Sequence, residues 1–139
     1  VPLVKTESPV VGTGMEFEVS KAMTRSIIAR HSGTVLHADN EKVVVKIDKK
    51  VSVDESTEDI EITDSGKTET YSLMKFKRTA HSTCYNQRVA VSPGDKVATG
   101  DLLVDGPAAQ NGELALGRNL VVAYMNFGGY NFEDAVLVN

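Results

Sequence analysis

Hydrophobic and polar positions follow one another in short blocks along most of the chain. The runs "SIIAR" (26–30), "GTVLHAD" (33–39) and "KVVVKID" (42–48) are rich in β-branched residues. They are interrupted at His31-Ser32-Gly33 and Asn40-Glu41, a spacing that predicts a β-meander. "TYSLMKFK" (70–77) alternates as a strand does, and "QRVAVSPGDKVATGDLLVDGP" (87–107) sets two strand-like pieces around Pro93-Gly94-Asp95 and Gly100-Asp101. Those are turn signals, because Gly supplies positive φ and Asp bonds the backbone two residues on. "NLVVAYM" (119–125) reads as a buried strand and "AVLV" (135–138) as a final one. One helix is predicted, from Met15 to Met23, with Thr13 as N-cap and Glu16 completing a capping box. Before it, residues 1–15 carry two of the four prolines and suit an extended arm. Many short strands joined by glycine turns point to a mainly β barrel or sandwich with a minor helical part.

At 139 residues the chain has the size of one domain, with enough sequence for a sizeable core. No apolar run approaches the ~20 residues of a membrane span. The single cysteine, Cys84, allows no internal disulfide, so the cytosol is the expected compartment. Both ends look cut from a longer polypeptide. Charge alters this picture locally. Residues 51–70 hold seven carboxylates against Lys67, a net of −6, which leaves +2 for the remainder of a chain whose total is −4. That stretch is expected to be a solvated loop or long hairpin tip that buries little and tolerates deletion of about 54–68. From Thr70 to Gly94 there is no acid, while Lys75, Lys77, Arg78 and Arg88 are interleaved with Tyr71, Phe76 and Tyr85. Such a run suits a surface that tracks a phosphate backbone, and it equally suits a solvated strand face.

Three further patterns could carry chemistry. His81 and Cys84 are spaced as half a zinc site, but a structural zinc needs four ligands, and a surface His beside a half-buried Cys reads the same way. Lys49 resembles the hairpin lysine of a lipoyl or biotinyl carrier, although 139 residues is about twice the length expected of one. In "GGYNFEDAVLVN" the adjacent carboxylates Glu133 and Asp134 interrupt an apolar, aromatic run. On a strand they would point to opposite faces, so they could meet one ion only at a turn, bulge or strand end. The Gly128-Gly129 pair allows such a bend, and carboxylates suit Mg²⁺. A polar strand edge remains the plain alternative.

Four blocks taken together are more specific. "PVVGTGME" (9–16), "KFKRTAHSTCYNQR" (75–88), "GDKVATGDLLVDGPAAQNGELALGRNLVVAYM" (94–125) and "GYNFEDAVLVN" (129–139) resemble, in order, the large β subunit of bacterial DNA-directed RNA polymerase. The resemblance implies an internal slice of the hybrid-binding region, part of a double-psi β-barrel with a smaller strand-rich, sandwich-barrel hybrid-like lobe. It divides the chain into an arm and short helix (1–24), a strand-rich lobe (25–92) with the acidic insertion 51–70, and barrel strands (93–139) ending in the NFED motif. It implies template-directed RNA synthesis from ribonucleoside triphosphates, in bacterial cytoplasm, only when assembled with β′ and α. A σ factor would join through the holoenzyme, with template DNA and nascent RNA as further partners. The aspartates holding the catalytic Mg²⁺ belong to β′ in this family. Glu133 and Asp134 would lie near a second Mg²⁺ and the incoming triphosphate, as helpers of substrate binding. Lys75, Lys77, Arg78 and Arg88 would be candidates for facing nucleic acid or phosphate. Bacterial relatives usually carry Pro-Trp where this chain has Asn126-Phe127, a difference that bears on how the bend before the acids is braced.

Overall fold

The computed structural model describes residues 3–23, 25–52 and 56–139. It is mainly β, with one short helix. The two strongest sequence runs become the β2–β3 hairpin, Gly33–Ala38 and Lys42–Ile47. Its turn is closed by Asp39, whose Oδ1 accepts the amides of Glu41 (2.7 Å) and Lys42 (2.8 Å), the Asx geometry that makes aspartate a turn residue. In β3 the inward positions Val43, Val45 and Ile47 are buried, as period-two alternation requires. Gly33 faces this strand so closely that an added methyl would overlap the Lys46 carbonyl oxygen.

This hairpin is the middle of a five-stranded antiparallel sheet in the order β4-β5-β3-β2-β9, with β4 at Ile60–Thr63, β5 at Thr68–Ser72 and β9 at Lys96–Val97. Of the two forms expected of the acidic stretch, a solvated loop or a long hairpin tip, the hairpin is the one present, and it buries more than its composition suggests. The second half of the stretch is a hairpin, β5 pairs with Lys42 to Lys46 of β3, and Ile62, Glu69 and Tyr71 are buried. Composition concealed this because most of the carboxylates lie on the exposed face or in the turn, whereas the few apolar side chains alternate inward. Asp54 and Glu55 lie outside the described residues.

A second sheet, in the order β1-β10-β8, is formed by Ile27–Ile28, Leu102–Asp105 and Arg88–Val89. Leu103 and Val104 pack with Ala29, Val35, Val43, Val45, Ile47, Tyr71 and Val97 in one core, so strands from either side of residue 92 share sheets and packing. Two small hairpins complete the fold. β6 (Lys77–Arg78) pairs with β7 (Cys84–Tyr85), and β11 (Ala109–Gln110) pairs with β12 (Glu113–Leu114) around Asn111-Gly112. Both residues of that turn have positive φ, and the buried Asp105 accepts both of their amides at 2.8 Å. No sheet closes into a barrel among the described residues.

Helix α1 spans Glu16–Ala22, within the predicted range. Its start differs in detail. Thr13 does not cap the helix; Met15 occupies the N-cap position with no side-chain bond, and the Glu16 carboxylate turns back to accept the Thr13 amide (2.8 Å) and the Gly14 amide (2.9 Å). The expected strands "NLVVAYM" and "AVLV" do not form. After Leu114 the chain makes no further strand, and Leu120, Val121, Val122, Tyr124, Val136, Leu137 and Val138 are exposed. Strand propensity needs a partner strand to satisfy its amides and carbonyls, and the sheets just described offer none to this segment.

Candidate functional site

The segment from Met125 to Ala135 is a succession of tight turns. The Tyr130 amide donates to the Phe127 carbonyl (3.1 Å), Phe132 to Gly129 (3.2 Å) and Ala135 to Phe132 (3.4 Å). Gly128 and Gly129 have φ of 58° and 77°, the left-handed region that glycine enters without steric penalty. Asparagines on either side close the loop. Asn126 Oδ1 accepts the Gly129 amide at 3.0 Å, Asn131 Oδ1 accepts the Phe127 amide at 3.1 Å, and Asn131 Nδ2 donates to the Met125 carbonyl at 2.6 Å.

Glu133 and Asp134 are the two central residues of the last turn, Phe132 to Ala135. Glu133 has φ of 57°, a conformation that costs a residue bearing a Cβ about 1–2 kcal/mol. The strand alternation that would send the two carboxylates to opposite faces is therefore absent, and both leave the chain at the same bend. Both are exposed, and neither is engaged by a hydrogen bond or ion pair among the described residues. Chemically this is a pair of hard oxygen donors open to a hydrated cation. Among the described residues no three His, Cys, Asp or Glu side chains gather into a metal-binding group. Carboxylate oxygens are donors of the kind Mg²⁺ takes, one or two of them beside waters and substrate oxygens.

The four basic candidates divide into two kinds. Lys75 Nζ donates to the Gln87 carbonyl at 2.8 Å, and Arg88 donates to the Ala109 carbonyl at 2.8 Å, so both are drawn onto the fold. Lys77 and Arg78 form the exposed strand β6, with Arg78 reaching Ser82 Oγ at 2.9 Å. No hydrogen bond or ion pair joins these bases to the acid turn among the described residues. His81 lies exposed in the β6–β7 connection, and the Cys84 thiol contacts the Tyr85 carbonyl. Lys49 lies in a bend beyond the end of β3, not at the tip of a hairpin, which removes the feature that suggested a carrier.

Sequence reasoning did not single out a polar trio built on a buried carboxylate. Glu69 is fully buried; its Oε1 lies 2.7 Å from His31 Nδ1, and its Oε2 accepts the Tyr71 hydroxyl at 2.7 Å. That hydroxyl in turn accepts the Arg30 amide at 3.1 Å. Burial raises the Tyr71 hydroxyl well above its ordinary pKa; the Arg30 amide opposes this, and the Glu69 carboxylate adds to it. The sequence signal was weak, since alternation in "TETYS" marks position 69 as inward but says nothing of a partner 38 residues away.

Comparison with known proteins bears on residues 28–139, which match the family model described as RNA polymerase Rpb2, domain 6. The whole chain is 48% identical to a protein of Geobacter metallireducens named DNA-directed RNA polymerase subunit beta. It is 49% identical to the protein of that name from Geobacter sulfurreducens and 46% identical to that from Geotalea daltonii. In each case all of this chain aligns with 10% of the relative, so the chain spans about a tenth of the length of the curated relatives it matches.

Proposed function

The chain belongs to the RNA polymerase Rpb2 domain 6 family, and from that premise we propose that it works as an internal segment of the β subunit of a DNA-directed RNA polymerase. The observation that carries this reading is identity near one half along the entire chain to proteins bearing that name. The activity is nucleotidyl transfer: the 3′-hydroxyl of the growing RNA attacks the α-phosphate of an incoming ribonucleoside triphosphate, and pyrophosphate leaves. It arises in the assembled enzyme, with β′ and α as partner subunits, a σ factor in the holoenzyme, and template DNA and nascent RNA as bound nucleic acids.

Within that enzyme Glu133 and Asp134 are assigned a supporting place beside the triphosphate. When bound there, Mg²⁺ supplies charge neutralisation for the phosphate oxygens and the departing pyrophosphate. Glu133 and Asp134 would help to hold it there and so orient the triphosphate. Lys77 and Arg78, carried on an exposed strand, are the better of the basic candidates for a phosphate backbone; Lys75 and Arg88 serve the fold through the carbonyls they bond. The division into arm and helix (1–24), strand-rich lobe (25–92) and barrel-forming part (93–139) is retained as a proposal for the assembled enzyme.

The test replaces Glu133 and Asp134 together by Ala in the complete enzyme. Nucleotide addition should slow at limiting Mg²⁺ or nucleotide and recover when both are raised, with subunit assembly unchanged. Kinetics identical to the parent at every Mg²⁺ concentration would remove the pair from substrate binding.

A further inference from the structure

We infer that Asn131 is a positioning residue for the Glu133–Asp134 turn, a step that rests on the reading of the acid pair given above. The segment before the acids contains two adjacent glycines, both in the left-handed region, and by itself such a segment samples many conformations. Backbone turn bonds and two asparagine side chains restrict that freedom, and Asn131 makes the widest-spanning of these bonds. The Asn131 amide works at both ends, its oxygen taking the Phe127 N–H and its nitrogen giving to the Met125 carbonyl, while Asn126 takes the Gly129 N–H within the same loop. Turning the Asn131 amide over would set nitrogen against an N–H and oxygen against a carbonyl, so the network itself dictates the orientation. Asn131 is also half-buried in a stretch whose other members, from Val121 to Asn139, are exposed.

The consequence falls on the acids through the backbone. Asn131 precedes Phe132, the residue whose carbonyl accepts the amide that closes the acid turn, and among the described residues no hydrogen bond or ion pair holds the Glu133 or Asp134 side chain. Their location is inherited from the loop that Asn131 closes. Each added conformation of the turn dilutes the one in which both carboxylates serve a common cation. Asparagine carries its donor and its acceptor on separate atoms, whereas aspartate lacks the donor, leucine lacks both and a threonine hydroxyl puts both on one atom.

The experiment compares four forms of the complete β chain in assembled polymerase: parent, Asn131→Ala, Glu133→Ala with Asp134→Ala, and all three substitutions together. Asn131→Ala should raise the apparent KM for nucleotide at limiting Mg²⁺ by about fivefold or more, with kcat at saturating Mg²⁺ and nucleotide within about twofold of the parent. The triple variant should match the acid-pair variant, because a residue that acts through the acids has nothing left to act on. An affected acid-pair variant beside an Asn131→Ala enzyme of parental KM overturns the inference alone, as does an additive triple variant. An unaffected acid pair removes the underlying reading and the inference with it. Should Asn131→Ala fail to assemble, Asn126→Ala opens the same loop at one bond and is held to the same KM criterion.

Discussion

Glu69 occupies the least forgiving position in the chain, a carboxylate with no exposed surface whose oxygens are met by His31 and Tyr71. With the carboxylate ionised, His31 Nδ1 must carry the donated proton. Removing His31 leaves one carboxylate oxygen buried without that partner. Truncating one member of a buried pair costs about 3–5 kcal/mol, and His31→Ala should fall near about 3 because a third of the His31 side chain is open to water. Glu69→Gln keeps an acceptor for Tyr71 and a group able to bond His31, so its cost should stay near about 1 kcal/mol. Hydrogen-exchange protection of the β3 and β5 amides in the complete subunit measures both; equal losses would show that His31 contributes nothing specific.

At the scale of the element, the start of α1 rests on one carboxylate. The Thr13 amide, among other backbone and hydroxyl donors, holds the Glu16 carboxyl at about 2, below its ordinary 4.5. A group whose folded pKa is lowered stabilises the fold above its unfolded pKa and loses that contribution as pH falls through the folded value. The amides of Thr13 and Gly14 should therefore lose exchange protection between pH 4.5 and about 2, and Glu16→Gln should flatten that dependence. The acidic hairpin gives a second prediction, opposite to the one its composition invited. Deleting residues 54–68 removes β4 and the turn into β5, unpairing the strand that carries Glu69 and Tyr71. Recovery of assembled enzyme should fall sharply on size exclusion, and normal recovery would show that β5 pairs with β3 without its outer neighbour.

Across the whole molecule, the apolar surface is unevenly distributed. The sheets bury a single core, whereas the tail from Leu116 to Val138 exposes Leu120, Val121, Val122, Tyr124, Phe127, Tyr130, Phe132 and Val136. Contiguous apolar surface of this kind drives association. Residues 1–139 expressed alone should scatter light at micromolar concentration, and truncation after Arg118 should reduce that scattering. Scattering unchanged by truncation would locate the association elsewhere, for instance at the open edge of β4.

Much of this protein was legible in its residues, and the limit of legibility has one cause. Alternation in "KVVVKID" established β3 and its inward valines, and Gly94-Asp95 and Gly100-Asp101 established turns, because each depends on neighbours within a few residues. Four ordered motifs established the family, because they preserve residue identities across the chain. Two matters were decided by tertiary structure alone. Pairing β5 with β3 made part of the acidic stretch an inner strand and buried Glu69 against His31, and the lack of a partner strand left "NLVVAYM" exposed. Each requires knowing which distant groups meet, and hydrogen bonds and burial act on proximity in space, which periodicity along a chain does not encode.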